Sequence, residues 1–182
     1  MEIDTQRLHL RPLAMSDADA LFVLHQDADM QRYFGDGHLY SREESRTWLE
    51  WHVGMWQLAG YGFFAVELQP DGQFIGWLGL NTVLDDPDLT GTTEIGWFID
   101  RRHWGLGLAS EGARQALEFG FVTLGLDRII ARYRTDNRAS GKVMEKIGMQ
   151  LWQELPNPEV PGTTVTMYEA RPDNAEYPAA QL

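Results

Sequence analysis

The stretch Thr92-Thr93-Glu94-Ile95-Gly96-Trp97-Phe98-Ile99-Asp100-Arg101-Arg102-His103-Trp104-Gly105-Leu106-Gly107-Leu108-Ala109-Ser110-Glu111 decides the fold. Residues Thr92 to Asp100 read as a strand. A glycine loop follows and opens the clearest helix of the chain, residues 107 to 124. On it Ala109, Ala113, Ala116, Leu117, Gly120, Phe121 and Leu124 fall on one stripe, while Glu111, Arg114, Gln115 and Glu118 face away. The first N–H groups of a helix lack partners within it and carry the positive end of its dipole. Gly105 and Gly107 remove side chains that would block approach to them. Such a turn can cradle an anion, and a pyrophosphate suits it best. Arg101 and Arg102 add positive charge beside it.

Upstream, Leu8 to Leu13 alternates apolar and polar residues and is stopped by Pro12, as a first strand would be. Ser16 caps a helix with Leu21 and Leu24 at helical spacing, and Gly35-Asp36-Gly37 is a loop. Ser41 and Glu44 form a capping box for a second helix, on which Trp48, Trp51 and Met55 share one face. Phe63–Leu68 and Phe74–Leu80 make a hairpin around the turn Pro70-Asp71-Gly72, and Asp85 to Asp88 form an acidic loop. Downstream, Arg128–Arg134 is a strand. Asn137 caps a short helix that Gly148 closes. Met149–Glu154 and Thr163–Ala170 are closing strands, and Pro172–Leu182 reads as a frayed tail.

The order β-α-α-β-β-β-α-β-α-β-β predicts a mixed α/β (α+β) fold. The expectation is one domain over residues 1–182, with its core at about 5–170. Its sheet should be twisted, mixed and mostly antiparallel, with about seven strands flanked by about four helices.

Composition excludes several classes. Lys plus Arg is 15 and Asp plus Glu is 27, a net charge of −12, which argues against nucleic acid as a partner. That acidity suits an amine partner or serves only solubility. There is no cysteine, so thiolate catalysis and Cys-based zinc sites are out. The five histidines include no pair at metal spacing, so no metal is expected. No apolar run approaches a membrane span, and Met1-Glu2-Ile3-Asp4 lacks the marks of a signal peptide. A cytoplasmic protein without membrane contact is expected. There is no P-loop string, the G-x-G-x-x-G fingerprint fails at Ser110, and no G-x-S-x-G elbow exists. What fits is R-x-x-G-x-G, on Arg102, Gly105 and Gly107.

The string Glu94-Ile95-Gly96-Trp97, then Trp104-Gly105-Leu106-Gly107-Leu108-Ala109 with Glu111, resembles the GNAT N-acetyltransferase superfamily. Asn137-Arg138-Ala139-Ser140-Gly141-Lys142-Val143-Met144-Glu145-Lys146-Ile147-Gly148 resembles that family's N-x-x-S-x-[KR]-V-x-E-K-x-G block. Thr5-Gln6-Arg7-Leu8-His9-Leu10-Arg11-Pro12 is similar to the opening of its Rim-type branch, which includes acetyltransferases of ribosomal-protein N-termini. The matches run from about residue 5 to about residue 170.

The resemblance implies acetyl-CoA as cosubstrate and a primary amine as acceptor, either a protein N-terminus or a small molecule. It implies that Gly105, Leu106, Gly107 and Leu108 bind the pyrophosphate, with Arg102 and Trp104 beside them. The backbone of Trp97, Phe98 and Ile99 would pair with the pantetheine arm, and Asn137 would touch the pantetheine or the acetyl end. Lys142 would approach a CoA phosphate or be an ordinary surface lysine. Glu94 would be the general base, its pKa raised by desolvation, or would only orient substrate. The family's usual tyrosine acid is replaced by Met144, so Ser140 would protonate the CoA thiolate or else be a cap hydroxyl. The early helices would border the acceptor site, with Tyr33 and Trp51 as lining candidates. A homodimer is common among relatives. Met144 also admits a non-catalytic acyl-CoA sensor of the same fold.

Overall fold

The computed structural model describes residues 1–84 and 86–174. Asp85 of the acidic loop and residues 175–182 of the expected tail lie outside the described residues. The strands are β1 (Ile3–Asp4), β2 (Leu8–Pro12), β3 (Phe63–Leu68), β4 (Gln73–Thr82), β5 (Thr93–Ile99), β6 (Ile129–Arg134), β7 (Gln150–Pro156) and β8 (Thr164–Ala170). The helices are α1 (Ala18–His25), α2 (Ala28–Gln31), α3 (Arg42–Ala59), α4 (Leu108–Glu118) and α5 (Arg138–Lys146). Strand order in the sheet is β1-β2-β3-β4-β5-β6-β8-β7. The expected element order holds. The additions are β1, with two residues, and α2, with four, both too short for a periodic pattern to reveal. The chain divides into two compact units, Met1–Gly79 with Trp97–Gly112, and Leu80–Gly96 with Ala113–Leu182.

In the first unit β1, β2, β3 and β4 pair antiparallel, with Leu10 opposite Val66 and Phe64 opposite Leu78. Leu13, Leu21, Leu24, Leu49, Phe63, Trp77 and Phe98 form its core. The capping box of α3 is as read: Glu44 N–H donates to the Ser41 hydroxyl and Ser41 N–H to the Glu44 carboxylate. The buried stripe of α3 is Ser45, Leu49, His52 and Met55. Trp48 lies at its edge, and Trp51, expected on the same face, is instead 52% exposed. Arg11 on β2 holds the buried Asp17 carboxylate through two nitrogens, at 2.9 and 2.7 Å, and also reaches Glu67. Two glycines set close approaches. A Cβ on Gly76 would lie 2.0 Å from the Phe98 carbonyl oxygen, so β4 and β5 meet there backbone to backbone. One on Gly112 would lie 2.4 Å from Leu78, which brings α4 down onto β4.

In the second unit β5 runs parallel to β6, with Glu94 opposite Ile130, and β8 lies antiparallel between β6 and β7. The helix expected over 107–124 is α4 followed by a π-helical turn, Phe119–Thr123. Gly120 in that turn has no room for a side chain, since a Cβ would lie 2.6 Å from Ile129. Strand β7 is the last in the order, and its register on β8 shifts between Leu151 and Gln153. Leu151 and Leu155 are exposed there, and the Arg128 guanidinium covers the Trp152 ring at 4.0 Å. Among the described residues no helix is long and apolar enough to cross a membrane.

Candidate functional site

The glycine loop belongs to the first unit. Asp100, at the end of β5, is 4% exposed and caps a short turn by accepting the Arg102 N–H at 2.9 Å. The Trp104 indole N–H donates to the Ile99 carbonyl at 2.6 Å, which folds the loop back over the strand end. Gly105 and Gly107 have φ of +77° and +81°. The space around Gly105 is open, and a Cβ on Gly107 would meet only Arg7, at 3.7 Å. Backbone conformation therefore requires these glycines at least as much as ligand access does. Among the described residues the N–H groups of Gly105, Leu106, Gly107 and Leu108 donate to no protein acceptor. Gly105, Leu106 and Gly107 lie on an exposed loop, and Leu108, with its side chain buried, is the first residue of α4.

The expected surplus of positive charge is corrected. Arg101 pairs with Asp27 at 2.7 Å and Asp29 at 3.2 Å, and Arg102 lies on Asp100. Burial acts to raise the Asp100 pKa, but the hydrogen bonds from Arg102 outweigh it and hold it below the usual value. With both guanidiniums matched by carboxylates, attraction for an anion falls chiefly to the backbone N–H groups and the helix dipole.

Phe98 and Ile99 bury their side chains and Trp97 is half-buried, so the main chain is what this strand end can offer a ligand. Tyr33 is tied to Arg32, whose guanidinium lies 4.4 Å over its ring and whose Nη2 donates to its hydroxyl. Trp51 stands outside the aromatic cluster of the unit. That cluster joins Trp48, Phe63, Trp77 and Phe98 with two buried histidines, His25 and His52. His25 Nδ1 pairs with the Ser45 hydroxyl at 2.9 Å. Burial pushes each imidazole pKa down to about 4.

Glu94, Asn137, Ser140 and Lys142 belong to the second unit. The Glu94 carboxylate is gripped by Arg132, Nε on Oε1 and Nη2 on Oε2, each at 2.9 Å. Sequence reasoning missed this partner. Its only signal was position, since the parallel register sets Ile130 opposite Glu94 and Arg132 falls on the same face. Asn137 caps α5, its side-chain oxygen accepting the Ser140 N–H at 3.3 Å. The cap is thus Asn137, and among the described residues the Ser140 hydroxyl has no partner of its own. Lys142 is exposed. Met144 is 1% exposed and belongs to the interior. Gly141 is needed because a Cβ there would lie 2.6 Å from the Tyr133 hydroxyl, another neighbour the sequence did not reveal. No group of three or more metal-ligating side chains occurs among the described residues.

A strand ending in a capped turn, a positive-φ glycine loop and a helix whose first N–H groups are unpaired point one way. Residues 7–150 match the family model described as acetyltransferase (GNAT) domain. The chain belongs to the GNAT acetyltransferase family. It is 30% identical over 148 residues to the uncharacterized N-acetyltransferase YoaA of Bacillus subtilis, covering 81% of this chain and 82% of that protein. The crystal structure of a GNAT-family acetyltransferase from Bacillus anthracis superposes with a TM-score of 0.80 at 26% identity, over 95% of this chain and 99% of the other. RimL, a ribosomal L7/L12 alpha-N-protein acetyltransferase solved with coenzyme A, shares the fold with a TM-score of 0.80 at 20% identity, over 94% and 98%. This chain is accordingly an N-acetyltransferase of the GNAT fold.

Proposed function

We propose that this N-acetyltransferase transfers the acetyl group of acetyl-CoA directly to a primary amine. The observation that carries the reading is the glycine loop, whose four unpartnered N–H groups open α4 in a chain of this family. The pyrophosphate is assigned to Gly105, Leu106, Gly107 and Leu108, and the pantetheine amides to the main chain of Trp97, Phe98 and Ile99. The neutral acceptor amine attacks the thioester carbonyl, the C–S bond breaks, the thiolate takes the proton of the Ser140 hydroxyl, and the Ser140 oxygen regains one from the nitrogen as the amide forms. The absence of cysteine leaves no protein thiol to carry the acetyl group, which favours direct transfer. It also suits a reducing, cytoplasmic setting. The family match spans residues of both units, which supports reading them as one acetyltransferase domain. A protein N-terminus is the first acceptor class to try, since RimL acts on the alpha-amino group of a ribosomal protein.

Both Glu94 carboxylate oxygens accept hydrogen bonds from Arg132, which fixes the carboxylate in place. We therefore assign Glu94 to orienting the amine, with Arg132 holding the carboxylate. Glu94→Gln should lower kcat/KM by about tenfold or more at every pH while leaving acetyl-CoA affinity in place. A steady-state pH–rate series checks this, and selective loss of activity on the acid side would return Glu94 to the role of base.

Acetyl-CoA at about 100 times its Kd should stabilise the wild-type protein by roughly 2.7 kcal/mol in thermal unfolding. Gly107→Trp should erase that shift. A wild-type melting temperature indifferent to acetyl-CoA would overturn the cofactor reading. Consumption of acetyl-CoA against peptides, amino acids and polyamines then identifies the acceptor.

A further inference from the structure

The opening Thr5-Gln6-Arg7-Leu8 is a motif for which the proposed reaction has no use, yet the structure places it against the glycine loop. Arg7 Nη1 donates to the Leu106 carbonyl at 2.9 Å. Its Nε donates to Glu111 Oε2 at 2.7 Å, and Nη2 lies 2.6 Å from the same oxygen. The other Glu111 oxygen accepts the Arg7 N–H at 2.9 Å and the Thr5 hydroxyl at 2.6 Å. Thr5 is fixed in turn, since its hydroxyl oxygen accepts the Leu8 N–H at 2.9 Å. The Glu111 N–H donates to the Gly107 carbonyl at 3.0 Å. Of two successive loop carbonyls, that of Leu106 is thus held by Arg7 and that of Gly107 by a main-chain hydrogen bond at the start of α4.

A trans peptide is planar, so its N–H points away from its carbonyl. Tying the Leu106 carbonyl to Arg7 turns the Gly107 N–H outward, and tying the Gly107 carbonyl to Glu111 does the same for the Leu108 N–H. Both N–H groups lack a protein acceptor among the described residues. Neither glycine in this loop can restrain its own backbone, since each lies at a positive φ and has no side chain. The restraint comes from about a hundred residues earlier in the chain. Arg7 also cancels the charge of Glu111, which would otherwise set a carboxylate one helical turn from an anion.

We propose that Arg7 is a positioning residue for the cofactor loop, holding the Leu106–Gly107 peptide so that its N–H is presented to the pyrophosphate of acetyl-CoA. This rests on the acetyl-CoA reading above. Arg7 acts through the loop and touches neither the thioester nor the amine.

The test compares two acetyl donors, acetyl-CoA and S-acetylpantetheine, which has the same thioester but no pyrophosphate. Arg7→Ala should weaken acetyl-CoA affinity and raise its KM by about tenfold with kcat little changed, while kcat/KM for S-acetylpantetheine stays within twofold. Arg7→Lys keeps a cation beside Glu111 but cannot also reach Leu106, and should show the same donor-selective loss. It serves where Arg7→Ala does not fold. Equal losses with both donors would make Arg7 a merely structural residue, and unchanged acetyl-CoA affinity would remove it from the loop altogether. Wild-type protein with no affinity for acetyl-CoA overturns the cofactor reading itself, whereas wild-type affinity with an indifferent Arg7 variant overturns only this proposal.

Discussion

Gly76→Ala should leave little or no folded protein. The added Cβ would stand 2.0 Å from the Phe98 carbonyl oxygen and 3.0 Å from both the Phe98 carbonyl carbon and Ile99 Cα. These are backbone atoms and cannot rotate aside. Gly76 also has a φ of +144°, a region that side-chain-bearing residues rarely enter. Beside it, the Asp100 N–H donates to the Ile75 carbonyl at 2.7 Å, so β5 cannot slide away without losing that bond. Overpacking among mobile side chains costs about 1–3 kcal/mol, and a backbone clash exceeds that. Total stabilities are only about 5–15 kcal/mol. The clash falls where Trp97, Phe98 and Ile99 lead into the glycine loop, so any survivor should also lose acetyl-CoA binding. Gly105→Ala is the control. Its φ is also positive but its surroundings are open, so a cost of about 1–2 kcal/mol and a folded protein are expected. Soluble yield and thermal unfolding decide the matter. A Gly76→Ala protein melting within a few degrees of wild type would mean that the two strands separate easily.

The second large effect is acid instability of the first unit. His25 and His52 have folded pKa values of about 4 against an ordinary 6.5, because burial disfavours the charged ring. Above 6.5 both states are neutral and the contribution is fully present. As pH falls from 6.5 towards 4, the unfolded chain binds protons that the folded protein refuses, and stability drops. Each imidazole should cost roughly 3 kcal/mol by the bottom of that window. His9 beside Asp4 and His38 beside Asp36 have raised pKa values and the opposite sign, but screening at the surface keeps their effect small. Among the described residues His52 Nδ1 has no hydrogen-bond partner, so His52→Phe sacrifices little at neutral pH. Urea unfolding at about pH 7 and about pH 4.5 should show a steep loss for wild type and about half of it for His52→Phe. Parallel losses in the two proteins would exclude His52 as a source.

The parts legible in the sequence were those set by local rules. Ser41 and Glu44 announced the start of α3, Asn137 and Gly148 bounded α5, and Gly105 and Gly107 marked the loop. Each works within a few residues of itself. What stayed hidden was long-range pairing. Arg132 meets Glu94 across 38 positions, Arg7 meets Glu111 across 104, and Arg101 meets Asp29 across 72. Any of these arginines could have served any carboxylate as far as composition shows. The reading of Arg101 as surplus charge failed for that reason, whereas Arg102 is matched by its near neighbour Asp100. The exposure of Trp51 was hidden for a different reason. Its spacing from Trp48 and Met55 allowed a shared face, but the stripe of α3 is centred on Leu49 and His52, leaving Trp51 beyond its margin. Helix α4 gave way to a π-helical turn in which Gly120 lies close against Ile129, a packing arrangement with no local code.

The end of the sheet at β7 has its own consequence. A bare strand end carrying Leu151, Trp152 and Leu155 would act as a growth front, inviting another chain to add itself and a third to follow. The irregular step between Leu151 and Gln153 throws any incoming strand out of step, and the Arg128 charge parked on Trp152 makes the apolar face costly to cover. The sheet is thereby given a terminus as well as an edge.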